Sequence, residues 1–191
     1  MTETIPNQVD DTTIPGWVAG TWNIDVAHSV VGFSVRHLMS KVRGRFTEFA
    51  VQIVTAEDPL ESTVTAAIEL KSIETGIGMR DDHLRSADFF NAEQHPTMRF
   101  ASTGLRRNGD AWVLTGDLTI AETTLPVDID LEFLGVDPTG VQGETRIGFE
   151  GKTTIKRSDF GVSAGLAIDG SKIVVGDKIE ISLDIEGVLD A

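Results

Sequence analysis

Leu125-Pro126-Val127-Asp128-Ile129-Asp130-Leu131-Glu132-Phe133 is the most regular stretch of the chain, with an apolar residue at every second position and mostly acids between. A strand sends successive side chains to opposite faces, so this period of two marks a strand with one buried and one solvated face. The same period continues outward in both directions. Toward the C-terminus it appears in Ile147, Phe149, Gly151, Thr153 and Ile155, and again in Ile179, Ile181, Leu183 and Ile185, which alternate with Glu180, Ser182, Asp184 and Glu186. Toward the N-terminus Trp112, Leu114, Gly116, Leu118 and Ile120 follow an Asn108-Gly109 turn. Before them come Met98-Phe100-Ser102, Val64-Ala66-Ile68-Leu70 and Val31-Phe33-Val35-His37. Phe49, Val51 and Ile53 alternate as well, but Phe46 is out of phase with them, which places a bulge or bend near Thr47-Glu48.

One segment breaks the pattern. Residues 77–94 (IGMRDDHLRSADFFNAEQ) carry little β-branching and read as one or two short helices before His95-Pro96. About eight strands separated by turn signals, with one helical interruption, suggest an all-β antiparallel barrel or sandwich. A closed barrel of that size leaves room for one ligand inside. Residues 1–16 are polar, aperiodic and end at the Pro15-Gly16 turn signal, so they read as a flexible leader to a single domain spanning 17–191.

Composition narrows the function. The chain has 191 residues, 30 acidic against 16 basic, for a net charge of −14. Such a surface argues against a general nucleic-acid binder, which needs cations for the phosphates. The absence of cysteine excludes disulfides and thiolate metal sites. No run of ~18 apolar residues offers a transmembrane segment. Residues 1–35 contain no Lys or Arg and no apolar secretion signal, so the expected location is the cytoplasm. The charge is uneven: residues 36–107 hold ten acids and ten bases, whereas 108–191 hold 16 acids and six bases, mostly at outward strand positions. Arg36, Lys41, Arg43 and Arg45 precede any acid before Glu48 and form either an anion-attracting rim or a solvated turn.

No glycine-rich phosphate loop and no G-x-S-x-G nucleophile elbow is present. Asp81, Asp82 and His83 adjoin one another, and His28, His37 and His95 could converge on them, but the spacing matches no metal signature. First-turn acids favoured by a helix dipole explain Asp81 and Asp82 as well. His37 shares the inward face of Phe33 and Val35, either as a hydrogen-bonded core residue or as the polar handle of an apolar pocket. Nine Phe and no Tyr make for a greasy interior with few hydroxyls.

Several stretches resemble the YceI-like family. These are WNIDVAHSVVGFSVRHL (22–38), GRFTEF (44–49), SIETGIGMRDDHLRSADFF (72–90), HPTMRFAST (95–103), GDLTI (116–120), RSDFGV (157–162) and VGDKIEI (175–181). They occur in order from Trp22 to about Gly187, and R-D-x-H-L-R-S-x-D-F-F is the most specific. The resemblance implies a lipocalin-like eight-stranded antiparallel barrel that binds a long isoprenoid lipid or isoprenoid quinone as its ligand, without another cofactor, and that forms a homodimer. The chain departs from the family at Ala121-Glu122-Thr123-Thr124-Leu125, where a glycine and basic residues are replaced. This turn offers less to an anionic diphosphate.

The leading expectation is a non-enzymatic lipid carrier or sequestering protein. Its tunnel would be lined by Phe33, Val35, Phe49, Val51 and Phe100, and by Leu118, Ile120, Ile129, Leu131 and Phe149. His37, Arg80, Asp81, His83 and Arg85 would supply polar groups near the opening. Two other readings stay open: a metal-dependent enzyme using His37, His83 and the adjacent acids, and a packed structural barrel acting through its surface.

Overall fold

The computed structural model describes residues 14–109, 111–164 and 174–190. The alternating segments become eleven strands, because two long staves are interrupted and a two-residue strand, Ile73–Glu74, pairs separately. The first stave consists of β1 (Gly20–Ile24) and β2 (Val30–His37), the second of β3 (Ser40–Phe46) and β4 (Phe49–Thr55). Then come β5 (Thr63–Glu69), the two-residue β6 (Ile73–Glu74), helix α1 (Gly78–Arg85), β7 (Thr97–Asn108) and β8 (Ala111–Ile120). The chain ends with β9 (Thr123–Asp137), β10 (Arg146–Lys156) and β11 (Val175–Leu189). Every pairing is antiparallel. The order β1-β4-β5-β7-β8-β9-β10-β11 returns to β1, which closes an eight-stranded barrel.

The long strand β11 explains how the broken staves fit. One edge pairs with β10 from Lys178 to Val188, while the other pairs first with β2 and then with β1. The bend expected near Thr47-Glu48 separates β3 from β4 and is fixed from outside: the Thr47 N–H and hydroxyl both donate to the Ser72 carbonyl at 3.2 Å. Leu70, read from the sequence as the end of a strand, lies instead in a 3-10 turn, Leu70–Ser72. Its side chain is fully buried and its N–H is taken by the Pro96 carbonyl at 2.8 Å. Within 77–94 only Gly78–Arg85 is helical, and turns follow.

The strand directions place the connections at two ends. At one lie the β2–β3 turn, α1, the Ala121-Glu122 turn and a 3-10 turn, Arg157–Phe160; this is the helical end. At the other lie Trp17, the link from β4 to β5, the turn at Gly109 and the loop between β9 and β10. Buried Phe100, Leu118, Ile120, Phe160 and Val162 cluster toward the helical end, and Trp22, Ile53, Ile147 and Phe149 toward the opposite one.

One seam of the barrel is incompletely zipped. β9 and β10 pair only between Asp130–Asp137 and Arg146–Lys152. Beyond that, residues 125–129 stay on β8 and 153–156 stay on β11. The Thr153 hydroxyl crosses the gap to donate to the Asp128 carbonyl at 2.7 Å. The 3-10 turn Arg157–Phe160 follows directly from β10 and contacts β9 there. Of the leader, residues 14–16 make a turn in which Gly16 takes φ 77° and the Trp17 N–H reaches the Ile14 carbonyl; residues 1–13 lie outside the described residues.

Candidate functional site

Inward-facing side chains do not fill the barrel. They leave a cavity of about 150 Å³ whose accessible wall is wholly apolar. Six residues expected from the sequence line it: Val51, Phe100, Leu118, Ile129, Leu131 and Phe149. Val64, Ala66 and Ile68 from β5 and Ile181, Leu183 and Ile185 from β11 complete much of the wall. They sit on the same alternating faces, so the signal for them lies in the period itself. Met98 also contributes, a flexible thioether that adapts to shape. Trp17 closes the end away from α1, stacked edge-on against Phe133 at 5.4 Å, with its Nε1–H donating to the Ala56 carbonyl at 2.8 Å. Standing before β1, it has no periodic partner that could have nominated it.

Four expected wall residues lie elsewhere: Phe33 and Val35 line a separate recess at the helical end, while Phe49 and Ile120 pack against neighbours. Phe49, the first residue of β4, sits at the bend and packs against the cluster around Phe46 and Ile68. Ile120, the last residue of β8, is buried at the helical end in one cluster with Phe160 and Val162. Neither is on the cavity wall.

A second recess of about 650 Å³ opens at the helical end. Phe33, Val35 and His37 form one side, and Arg80, His83, Leu84 and Phe89 the other. The phenyl ring of Phe89 is the partition: it lines this recess and packs against the core cluster beneath. The His83 ring meets it edge-on at 5.0 Å, and the Arg157 guanidinium sits 5.8 Å above its centre.

The polar residues nominated for the opening divide in two. His37, Arg80 and His83 face the recess. Arg80 is partly engaged, donating from Nε to the Thr75 hydroxyl (2.7 Å) and from Nη2 to the Thr75 carbonyl (2.9 Å). His83 lies 3.3 Å from Asp88 at an exposed position. Asp81 and Arg85, expected beside them, are bonded within their own end of the fold. The Asp81 side chain is buried and accepts the Thr75 N–H at 2.9 Å and the Thr75 hydroxyl, so it ties down the start of α1. Arg85 spans to the carbonyls of Lys71 and Ile73, both at 2.8 Å, and pairs with Asp82 at 3.0 Å. Both are committed to holding α1 against β6, and neither lines the recess.

Arg157 opens one of the family-like stretches but was not among the expected site residues. It is buried, and its three nitrogens donate to the carbonyls of Gly176, Val162 and Val175 at 2.9 to 3.1 Å. Burial lowers its pKa from the ordinary arginine value, opposed by the nearby charge of Asp177. It thereby holds the 3-10 turn and Phe160 in the mouth of the barrel.

Among the described residues, the three-ligand group close enough to share an ion is Asp25, His28 and Glu186, not the expected set around His83. A guanidinium already serves as its cation, since Arg146 Nη1 donates to Asp25 at 2.8 Å and to Glu186. The Arg146 bond, with a further one from His28, holds the Asp25 carboxyl down at about 2.

Comparison with known proteins agrees with this architecture. The model of the YceI-like domain matches residues 22–187. The UPF0312 protein plu2095 of Photorhabdus laumondii is 36% identical over 177 residues, covering 90% of this chain and 88% of its own length. The crystal structure of the Campylobacter jejuni YCEI protein superposes with a TM-score of 0.70 at 27% identity, covering all of both chains. A polyisoprenoid-binding domain from Saccharophagus degradans, implicated in plant cell wall breakdown, shares the fold at a TM-score of 0.67 and 15% identity, with 91% of this chain and 100% of that one covered. With its closed barrel, its helix across one end and a family match over nearly the whole domain, the chain belongs to the YceI-like family.

Proposed function

We propose that this barrel binds the apolar chain of an isoprenoid lipid or isoprenoid quinone, to carry or sequester it rather than to transform it. The observation that carries this reading is the wholly apolar cavity inside a closed barrel. The polyisoprenoid-binding description of a fold neighbour supports the same ligand class. A chain gains ~0.8 kcal/mol for each CH₂ it buries, so tens of carbons make a tight guest without catalysis. About 150 Å³ holds only part of such a chain at once, so the rest extends through the partition at Phe89 into the recess, or the wall parts around it. His37, Arg80 and His83 would then meet the head group. The packed-barrel alternative needs a filled interior and finds less support in this cavity.

The test is organic extraction of the purified protein followed by mass spectrometry, together with uptake of a polyprenol from detergent micelles. The expected result is recovery of a lipid with an isoprenoid chain and saturable uptake. Ala66→Trp, which fills the cavity from β5, should abolish uptake at an overpacking cost of about 1–3 kcal/mol. A wild-type protein that neither carries nor takes up lipid, or an Ala66→Trp variant that loads normally, would sink the proposal.

A further inference from the structure

The recess at the helical end is flanked by bare apolar side chains. Met39, at the tip of the β2–β3 hairpin, is 95% exposed, and its neighbour Leu38 is 44% exposed. Leu38 donates its N–H to the Val174 carbonyl at 3.0 Å, which brings the 41%-exposed Val174 alongside. Across the recess, at the start of α1, Met79 is 85% exposed and Ile77 54%. These two groups sit on opposite walls, since His37, Val35 and Val42 line one side and Arg80, His83 and Leu84 the other. They are separate projections around an opening, and exposed apolar side chains of this kind mark contact with a membrane or a protein.

The hairpin that carries Met39 is itself basic, although acids of neighbouring strands reach it. Arg36, Lys41, Arg43 and Arg45 climb the outward face of the hairpin with no acid among them, and Arg36 Nη1 reaches the Met39 carbonyl at 3.5 Å. Lys41 is paired with Glu180 and Arg45 with Glu74, whereas Arg43 has no ion pair among the described residues. The acids of α1 are offset locally, Asp82 by Arg85 and Asp88 by His83. Glu122, in the turn after β8, lies across the ring from β2 and β3. Of the acids along β9–β11, Glu180 meets the hairpin directly through Lys41 and Ser34, so the cations it leaves to a membrane are chiefly Arg36 and Arg43.

We propose that the β2–β3 hairpin tip and the start of α1 dock the barrel, mouth first, onto a bilayer that carries anionic phospholipids. Met39 and Met79 would sink among the acyl chains while Arg36 and Arg43 lie at the phosphate level. This goes beyond lipid binding inside the barrel, but rests on that reading for its purpose: a mouth laid on the membrane passes an apolar chain without exposing it to water.

Vesicle flotation tests the docking. Wild type should float with vesicles of phosphatidylcholine and phosphatidylglycerol and much less with phosphatidylcholine alone. Met39→Asp combined with Met79→Asp should lower the bound fraction at least about fivefold, and Arg43→Glu should weaken binding most at low salt. Val141→Asp, at a site 92% exposed near the opposite end, should float as wild type does. All these side chains are exposed, and circular dichroism verifies that each variant folds. Docking is overturned if wild type stays unbound on anionic vesicles, if the double variant floats unchanged, or if Val141→Asp costs as much as the double variant. Binding to a protein partner instead would leave wild type unbound on vesicles. Polyprenol uptake from micelles separates the two proposals: the double variant should load as wild type does, while a wild type that floats but never loads refutes the carrier reading and leaves docking standing.

Discussion

Two phenylalanine rings press against glycines in the barrel wall, and the contact sets what those glycines can become. Phe33 of β2 covers Gly44 of β3, and Phe100 of β7 covers Gly116 of β8. An added Cβ at either glycine would run into the ring and into a backbone carbonyl, Glu74 or Ala101 respectively. Gly44→Ala and Gly116→Ala are each expected to cost about 1–3 kcal/mol, read as a melting-temperature drop of about 2–4 °C per kcal/mol. An unchanged melting point would show that the rings move aside freely. Asp25 gives a residue-level pH prediction. Its carboxyl titrates at about 2 in the fold against an ordinary 3.8, so it binds a proton more readily when unfolded. Its stabilising contribution is therefore complete above about pH 4 and disappears as pH falls toward 2. Arg146→Gln removes the main cause, so the loss of urea resistance between about pH 6 and about pH 3 should be smaller in the variant than in wild type. An equal loss in both would assign the acid sensitivity elsewhere.

At the scale of elements, the strands were largely legible and their interruptions less so. Period-two alternation located the staves because each has one wet and one dry face, and the phase slip at Phe46 marked the bend that separates β3 from β4. The break between β1 and β2 left no such mark, because Asp25–Ser29 contains neither glycine nor proline. Cavity residues were harder to name than buried ones. Alternation says which face is inward, but whether an inward side chain meets a void or a neighbour depends on its height along the barrel, and this is what displaced Phe49 and Ile120. Arg157 illustrates a different limit: nothing in R-S-D-F-G-V announces a guanidinium whose partners are carbonyls on either side of it in the fold. Arg157→Lys keeps the charge but loses the fork, and is expected to cost about 2–3 kcal/mol. The turn at 157–160 should then become more susceptible to limited proteolysis; unchanged stability and cleavage would mean that Phe160 alone secures the plug.

For the whole molecule, the net charge of −14 proved a weak guide to the ligand, because its largest share lies on the outward faces of β9–β11 and leaves the interior untouched. What the charge does bear on is the open seam between β9 and β10. Unpaired strand edges invite other chains to add to them. The Asp128 carbonyl faces the gap, and the N–H and C=O of one residue point to the same side of a strand, repeating every second residue. The N–H that Pro126 lacks would therefore have pointed into the same gap, so this proline costs no bond to β8 and withholds a donor from any incoming strand. Asp128, Asp130, Lys152 and Lys156 set charges of both signs along the two edges. A barrel that keeps a gap in its wall would otherwise be prone to stacking edge to edge, and here the gap is guarded by one missing hydrogen and a short row of charges.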